Sequence, residues 1–241
     1  MTYLSRLMLD SYHPMVRRDL ANCHQLHRTI LRAFPHVADA TNARAHLGVL
    51  YRLESLPSEP RVLRLLVQSH GQPDWSFLPR QVFSEDPDGR GNPSCRPLDS
   101  DYQRIVVGAQ LLFRLRANPT KRISNRQPDR TDQLLGKRVA ILREADQLAW
   151  LQRKGEQHGF RLLATTTTAD VPEARAATQE TVRGWRPATH TTPVMPLTFG
   201  AVRFDGRLEV TDPALFLQAL QQGIGSGKAF GFGLLSIASI G

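Results

Sequence analysis

The stretch 84–101, SEDPDGRGNPSCRPLDSD, constrains this chain more than any other. Its density of Pro, Gly, Asp and Ser suits neither a helix interior nor a paired strand. It divides 241 residues into two parts, each long enough to bury a core of its own. The expected division is a first unit over 1–90, a linker over 91–103 and a second unit over 104–241.

Local patterns fill in both units. Thr2–Leu9 alternates as a strand, and Asp19–Phe34 has helical spacing closed by Pro35. Ala45–Glu54 and Arg61–His70 read as strands, Asp74–Phe77 as a turn or short helix, and Arg80–Phe83 as a short strand. Beyond the linker, strand signals cover Ile105–Arg116, Lys137–Leu142 and Phe160–Thr166, with a helix over Arg143–His158. Leu197–Val210 reads as a hairpin turning at Asp205-Gly206. Asp212-Pro213 has the chemistry of a helix cap and first position, for a helix ending at Gln222. Leu234–Ala238 closes the chain as a strand, and residues 167–196 show no clear period. Strands and helices do not alternate as a parallel sheet requires. The pattern predicts an α+β fold of two tandem ferredoxin-like (RRM-like) domains with antiparallel sheets.

Composition narrows the function. Thirty-one basic side chains against 22 acidic ones leave a net charge of +9, and 27 of the basic residues are Arg. Arginine's planar fork matches phosphate and stacks on bases, which favours a polyanionic partner. The window 104–138 concentrates this, with nine basic residues against Asp129 and Asp132. It reads as a footprint for nucleic acid or, more simply, as a solvated basic loop. No run approaches 18 apolar residues, so no membrane span or membrane partner is expected. Met1–Asp10 reads as a strand and not as a signal peptide, which makes the expected location cytoplasmic. Cys23 and Cys95 alone make neither a disulfide framework nor a four-ligand metal site.

Five glycines fall within GIGSGKAFGFG, residues 223–233. Such a backbone reaches positive φ easily, approaches other chains closely and can cradle a phosphate. Known nucleotide loops do not fit: Gln222 stands where a P-loop needs glycine, and Ala229 follows Lys228 where it needs Ser or Thr. No ATP, NAD or other cofactor is indicated. KAFGFG partly matches an RNA-reading strand through Lys228, Phe230, Gly231 and Phe232. The plain alternative is a sharp turn feeding a buried edge strand.

The first helix carries His24 and His27, three residues apart and so on one face. His27 also shares a stripe with Leu20, Ile30 and Phe34, as a core histidine would. A metal site would need ligands that no neighbouring His or Cys supplies, Cys23 pointing about 100° from His24 around the helix. The third reading is acid–base chemistry on RNA, whose 2′-hydroxyl is its own nucleophile and needs no metal. Arg28 and Arg32, on the same helix, would stabilise phosphate charge.

Four segments taken together resemble the CasE-type CRISPR-associated endoribonucleases of the RAMP superfamily. They are RRDLANCHQLHRTI (17–30), LLFRLRANPTKR (111–122), EADQLAWLQRK (144–154) and GRLEVTDPALFLQALQQGIGSGKAFGFGLLSI (206–237), with support from PDWSFL (73–78). The resemblance implies tandem ferredoxin-like domains and metal-independent cleavage of precursor CRISPR RNA on the 3′ side of the repeat hairpin, leaving a cyclic phosphate. It also implies that the hairpin stays bound and that the protein joins the other subunits of the type I-E Cascade complex. The family's helix histidine falls on His27, and His24 stands where the family often has a tyrosine. Phosphate contacts are expected from Arg28, Arg32, Lys121 and Arg122, and from Arg183 and Arg186 on a basic hairpin. Gly225, Gly227, Lys228 and Gly231 would wall the cleavage point. The rival readings are a stem-loop-binding subunit without catalysis and a structural subunit docking an acidic protein.

Overall fold

The structure is a computed structural model that describes residues 1–35, 43–86, 89–123, 136–165, 168–188 and 193–240. The first unit contains β1 (Tyr3–Asp10), α1 (Pro14–Ala21), α2 (Cys23–Leu31), α3 (Ala43–His46), β2 (Leu50–Leu56), β3 (Glu59–Ser69) and β4 (Ser94–Pro97). After α4 (Asp99–Tyr102), the second unit opens with β5 (Gln110–Ala117), β6 (Thr120–Arg122), β7 (Arg138–Ala140), α5 (Glu144–Gln157) and β8 (Phe160–Leu162). It continues with β9 (Ala164–Thr165), β10 (Thr168–Pro172), β11 (Ala174–Thr178), β12 (Val182–Arg186), β13 (Met195–Phe199), β14 (Val202–Val210), α6 (Pro213–Gln222) and β15 (Leu235–Ser239).

Both main sheets are antiparallel. The first runs β2-β3-β1-β4, and the second runs β11-β14-β5-β15 with β8 also on β14. Each places its first and third strands at the centre, the order of a ferredoxin-like split βαβ unit. The first sheet lays Leu7, Leu9, Tyr51, Leu65 and Val67 under Leu26, Ile30 and Phe34. The second buries Phe113, Leu115, Phe204 and Leu208 under Trp150, Leu151, Phe216 and Leu220. Residues 94–97, inside the stretch expected to link the units, pair with β1 through Ser5↔Cys95. Leu98 and Tyr102, just beyond, already belong to the second core.

Several local expectations change. The helix over Asp19–Phe34 is two helices, broken where Asn22 adopts extended backbone, and Leu20 is exposed on the first of them. Ala45 lies in α3, and the following strand starts at Leu50. Arg80–Val82 forms a 3-10 turn, with only Phe83 bridging to Leu9. Strand β5 starts at Gln110, later than Ile105. Asp205-Gly206 is not a turn but the middle of β14. Asp205 pairs there with Arg114 and Arg203. A side chain at position 206 would run into the Ala174 backbone of β11, 2.7 Å from its Cα, so glycine serves strand packing at this point. Asp212 does cap α6, accepting from Ala214 N at 2.9 Å and Leu215 N at 3.1 Å. Residues 124–135 of the basic window, and Thr166, lie outside the described residues.

The units interlock through the face of the first sheet that turns away from its helices. Arg52, 3% exposed, donates from Nη1 to the carbonyls of Arg114 (3.2 Å) and Leu234 (3.1 Å), and from Nη2 to Ser236 Oγ (3.0 Å). Its Nε meets Glu54 at 2.8 Å. Gln68 donates to the Leu220 carbonyl at 2.7 Å and accepts from Tyr102 Oη at 3.0 Å. Breaking a buried ion pair costs ~3–5 kcal/mol, toward the lower figure here because Arg114 and Arg64 still face Glu54 at 3.4 and 3.6 Å. Arg52→Met should therefore lower the unfolding free energy by about 3 kcal/mol, read from urea denaturation; a loss within experimental error would show that the seam does not depend on this guanidinium.

Candidate active site

The site starts at the break between α1 and α2. Asn22 sits at φ −144°, ψ 108°, outside helical space, and its Oδ1 accepts from the His24 N–H at 3.1 Å. That bond caps α2. The same oxygen accepts from Trp185 N at 3.2 Å, while Nδ2 donates to the Trp185 carbonyl at 3.3 Å. One side chain thus starts the helix and fastens β12 to its end. Gly184 makes the approach possible, because a Cβ there would collide with Asn22 Oδ1 and stand 2.8 Å from Cys23 Sγ. Cys23 lies under this contact, and burial pushes its thiol pKa up.

Helix α2 buries Leu26 and Ile30 and leaves His24 and His27 half-buried. The His27 ring meets Phe230 edge-on, with centroids 6.1 Å apart, and Phe230 stacks on Phe199 at 5.0 Å. His27 Nδ1 is sealed from solvent and has no hydrogen-bond partner among the described residues, which leaves Nε2 to face outward. Burial lowers the His27 pKa to about 4, helped by charge at His24, Arg44 and Arg186. Burial also lowers that of His24, with Arg186 and Arg28 adding to the effect. Both rings are consequently neutral near pH 7, able to take up a proton.

The wall against His27 is the glycine segment. A 3-10 turn, Lys228–Phe230, is held between Gly227 (φ 77°) and Gly231 (φ 84°), backbone that residues with a Cβ avoid. Space is also short: a Cβ at either glycine would lie 3.0 Å from a packed ring, Phe232 in one case and Tyr51 in the other. Tyr51 Oη donates to the Ala229 carbonyl at 3.2 Å, so the first unit pins a turn made by the second. Lys228–Phe230 is therefore no RNA-reading strand: Phe232 is fully buried, with the Arg116 guanidinium 5.0 Å from its ring centroid. The strand signature fails because five of these glycines take positive φ, which interrupts any extended run.

The remaining candidate residues divide into groups. Arg28 lies one turn beyond His24 and is exposed. Arg183 and Arg186 are exposed on β12, and Arg186 bears on both histidines. Arg32 stands at the far end of α2, its guanidinium 4.6 Å from the Phe77 ring centroid, away from the imidazoles. Lys121 and Arg122 sit on β6, across the glycine segment, in a cleft shared with Gly225 and Lys228. Arg122 Nε donates to the Gly136 carbonyl at 3.1 Å. Gly225 packs against Trp150, 3.3 Å from where its Cβ would be.

Sequence reasoning missed Asn22, Arg44 and Tyr51, and read Phe230 as part of a strand where it forms the wall against His27. Asn22 carried a legible signal, since Asn is a strong N-cap. Arg44 carried none: it reaches the site from α3, where its charge bears on both His27 and Lys228.

Charge pairing separates structural arginines from the rest. Arg6, Arg61, Arg96, Arg161 and Arg207 each meet a carboxylate. Among the described residues, Arg28, Arg44, Arg183, Arg186, Lys121, Arg122 and Lys228 meet none. Like charges held together without counterions raise the free energy of the unbound protein and select for an anion.

The histidine pKa directions make a testable case. The folded state lowers the His27 pKa from 6.5 to about 4, so the unfolded chain binds more protons between those values. His27 thus contributes stability that is whole above pH 6.5 and lost as pH falls toward 4. In histidine NMR titrations, His27 should titrate near pH 4 and His24 below 6.5, and Arg186→Ala should raise both. Titration of His27 above 6.5 in the free protein would contradict this electrostatic picture.

Known proteins share this arrangement of chain. A Thermus thermophilus protein described as CRISPR-associated endoribonuclease Cse3 is 37% identical over 240 residues, covering 98% of this chain and 99% of its own. The Escherichia coli protein described as CRISPR system Cascade subunit CasE is 28% identical over 225 residues, covering 92% and 94%. A solved structure of CRISPR endoribonuclease Cse3 bound to 19 nt RNA superposes with a TM-score of 0.75 at 33% identity, covering 98% of this chain and 99% of that one. The family model described as CRISPR associated protein matches residues 2–239, and the chain belongs to that family.

Proposed function

We propose that this chain is an endoribonuclease that processes precursor CRISPR RNA at the repeat stem-loop and remains bound to the mature RNA within Cascade. The observation that carries the reading is a half-buried imidazole, His27, set against Phe230 beside cations that have no carboxylate partner among the described residues. The names of the T. thermophilus and E. coli relatives support the same activity and assembly. Among the described residues no helix is long and apolar enough to cross a membrane. We assign the protein to the cytoplasm, where its RNA is made.

The geometry suggests how the residues divide the work. His27 Nε2 takes the proton from the 2′-hydroxyl beside the scissile phosphate. The freed oxygen attacks phosphorus, the P–O5′ bond breaks, and a 2′,3′-cyclic phosphate remains. The departing 5′-oxygen receives a proton from His24, which regains one when bound phosphate offsets Arg28 and Arg186. Arg28 and Arg186 also face the extra charge of the transition state. Arg183 and Arg186, on a hairpin fastened to α2 by Asn22, hold the stem. Lys228, Lys121 and Arg122 continue the phosphate contacts past the glycine turn, whose Gly225, Gly227 and Gly231 keep the wall narrow. Arg32 acts at the edge of this surface. We read the chain as two domains joined over 91–103, a stretch that adds a strand to the first and Leu98 and Tyr102 to the core of the second, with the histidines on the first and the hairpin and glycine turn on the second.

His27→Ala should reduce cleavage of repeat RNA about 10²–10⁴-fold while leaving RNA affinity nearly unchanged. A 2′-deoxy sugar at the scissile position should block cleavage altogether. Unchanged processing by His27→Ala would instead make this a binding subunit. Gly184→Ala, by pushing the hairpin off Asn22, should weaken RNA binding more than it alters the fold's denaturation midpoint; equal binding would remove the hairpin from the interface.

A further inference from the structure

The cleft beyond the glycine turn is larger in its chemistry than the proposed cleavage reaction uses. It runs between β6–β7, the C-terminal half of α5 and residues 223–228, and its cations are Lys121, Arg122, Arg138, Arg153, Lys154 and Lys228. None of its described lining residues is Asp or Glu. Asn118 Nδ2 and Ser226 Oγ, 3.5 Å apart, add uncharged donors at its floor. Lys154 reaches only Gln157, at 2.7 Å, and Arg153 is exposed without a partner among the described residues.

The cleft adjoins the site through the glycine turn, where Lys228 lines the cleft and Phe230 meets the His27 ring. Lys228 bears on His158 at the end of α5, and both Arg44 and Lys154 bear on Lys228. Arg44 in turn bears on His27. A line of positive charge therefore passes from the imidazoles, over the Lys228 turn, to α5. The hairpin bearing Arg183 and Arg186 is fastened to the start of α2 through Trp185, and the Phe199 end of its β13 strand stacks on Phe230 of the glycine turn.

We propose that this cleft binds the single-stranded RNA flank on the 3′ side of the scissile bond, with Arg153 and Lys154 as phosphate contacts. The inference rests on the cleavage reading above. If the stem lies against Arg183 and Arg186 and the bond beside His27 is cut 3′ of it, the glycine turn, which meets His27 at Phe230 and the cleft at Lys228, offers the strand a path past the bond. What it meets there is a row of cations without a carboxylate partner among the described residues, together with amide or hydroxyl donors, chemistry that holds a phosphate backbone without reading bases. The flank would thus be gripped before the cut and released as the short product afterwards.

Three RNAs test this: the stem-loop with one nucleotide past the cut site, the same RNA extended at its 3′ end, and the same RNA extended at its 5′ end. Each is 2′-deoxy at the cut site for binding measurements and all-ribose for cleavage. The 3′ extension should raise affinity severalfold and steepen the salt dependence, and Arg153→Ala/Lys154→Ala should erase both gains, reducing the salt slope by about 0.7 per lost contact. The double variant should bind the unextended stem-loop like the unaltered protein. No gain from the 3′ extension, a gain from the 5′ extension instead, or equal loss by the double variant on all three RNAs would overturn the assignment. Failure of the unaltered protein to cut any of the all-ribose RNAs would refute the nuclease reading separately, since the binding comparison does not depend on turnover.

Discussion

The seam between the two units governs everything built on it. Arg52 is taken out of water and spends its guanidinium on Glu54, two carbonyls of the second unit and Ser236. Such a group is stable only when every N–H finds an acceptor, so the second unit must sit in one place. On the neighbouring residue, Tyr51 points the other way along β2 and reaches the Ala229 carbonyl. Two consecutive side chains of one strand therefore register the second sheet and the glycine turn. His27 meets Phe230 because that registration is met.

Given that frame, electrostatics explains the chemistry. The site gathers cations from α2, α3, β12 and the glycine turn, and among the described residues none of them pairs with a carboxylate. Burial and this positive field hold His27 neutral, the state a proton acceptor needs. The same field invites phosphate, and phosphate would ease the field. The contrast between paired and unpaired arginines is more informative than the net charge, since +9 by itself says nothing of where the surplus lies.

Much of this was legible beforehand, for identifiable reasons. Asp212-Pro213 announced α6 because cap chemistry is local, needing only the next three residues. His24 and His27 share a helix face by spacing alone. Asp205-Gly206 misled because a turn pair and a strand glycine look alike until β11 is seen lying against it. The Lys228–Phe230 segment misled for the opposite reason: aromatic residues suited to a strand were held by flanking glycines in a turn. The three residues missed at the site, Asn22, Arg44 and Tyr51, act across 163, 17 and 178 positions of sequence respectively, and only Asn22 left a local trace.

By itself the amino-acid order determined the α+β mixture of strands and helices, the cap and glycine positions, the surplus of arginine and the helix that carries two imidazoles, because each follows from contacts within a few residues or from composition. The tertiary structure alone decided which imidazole is sealed against an aromatic wall, which cations lack carboxylates and which hairpin lies on the helix. Those properties depend on burial and on charges summed over space, and chain order does not encode distance between remote segments.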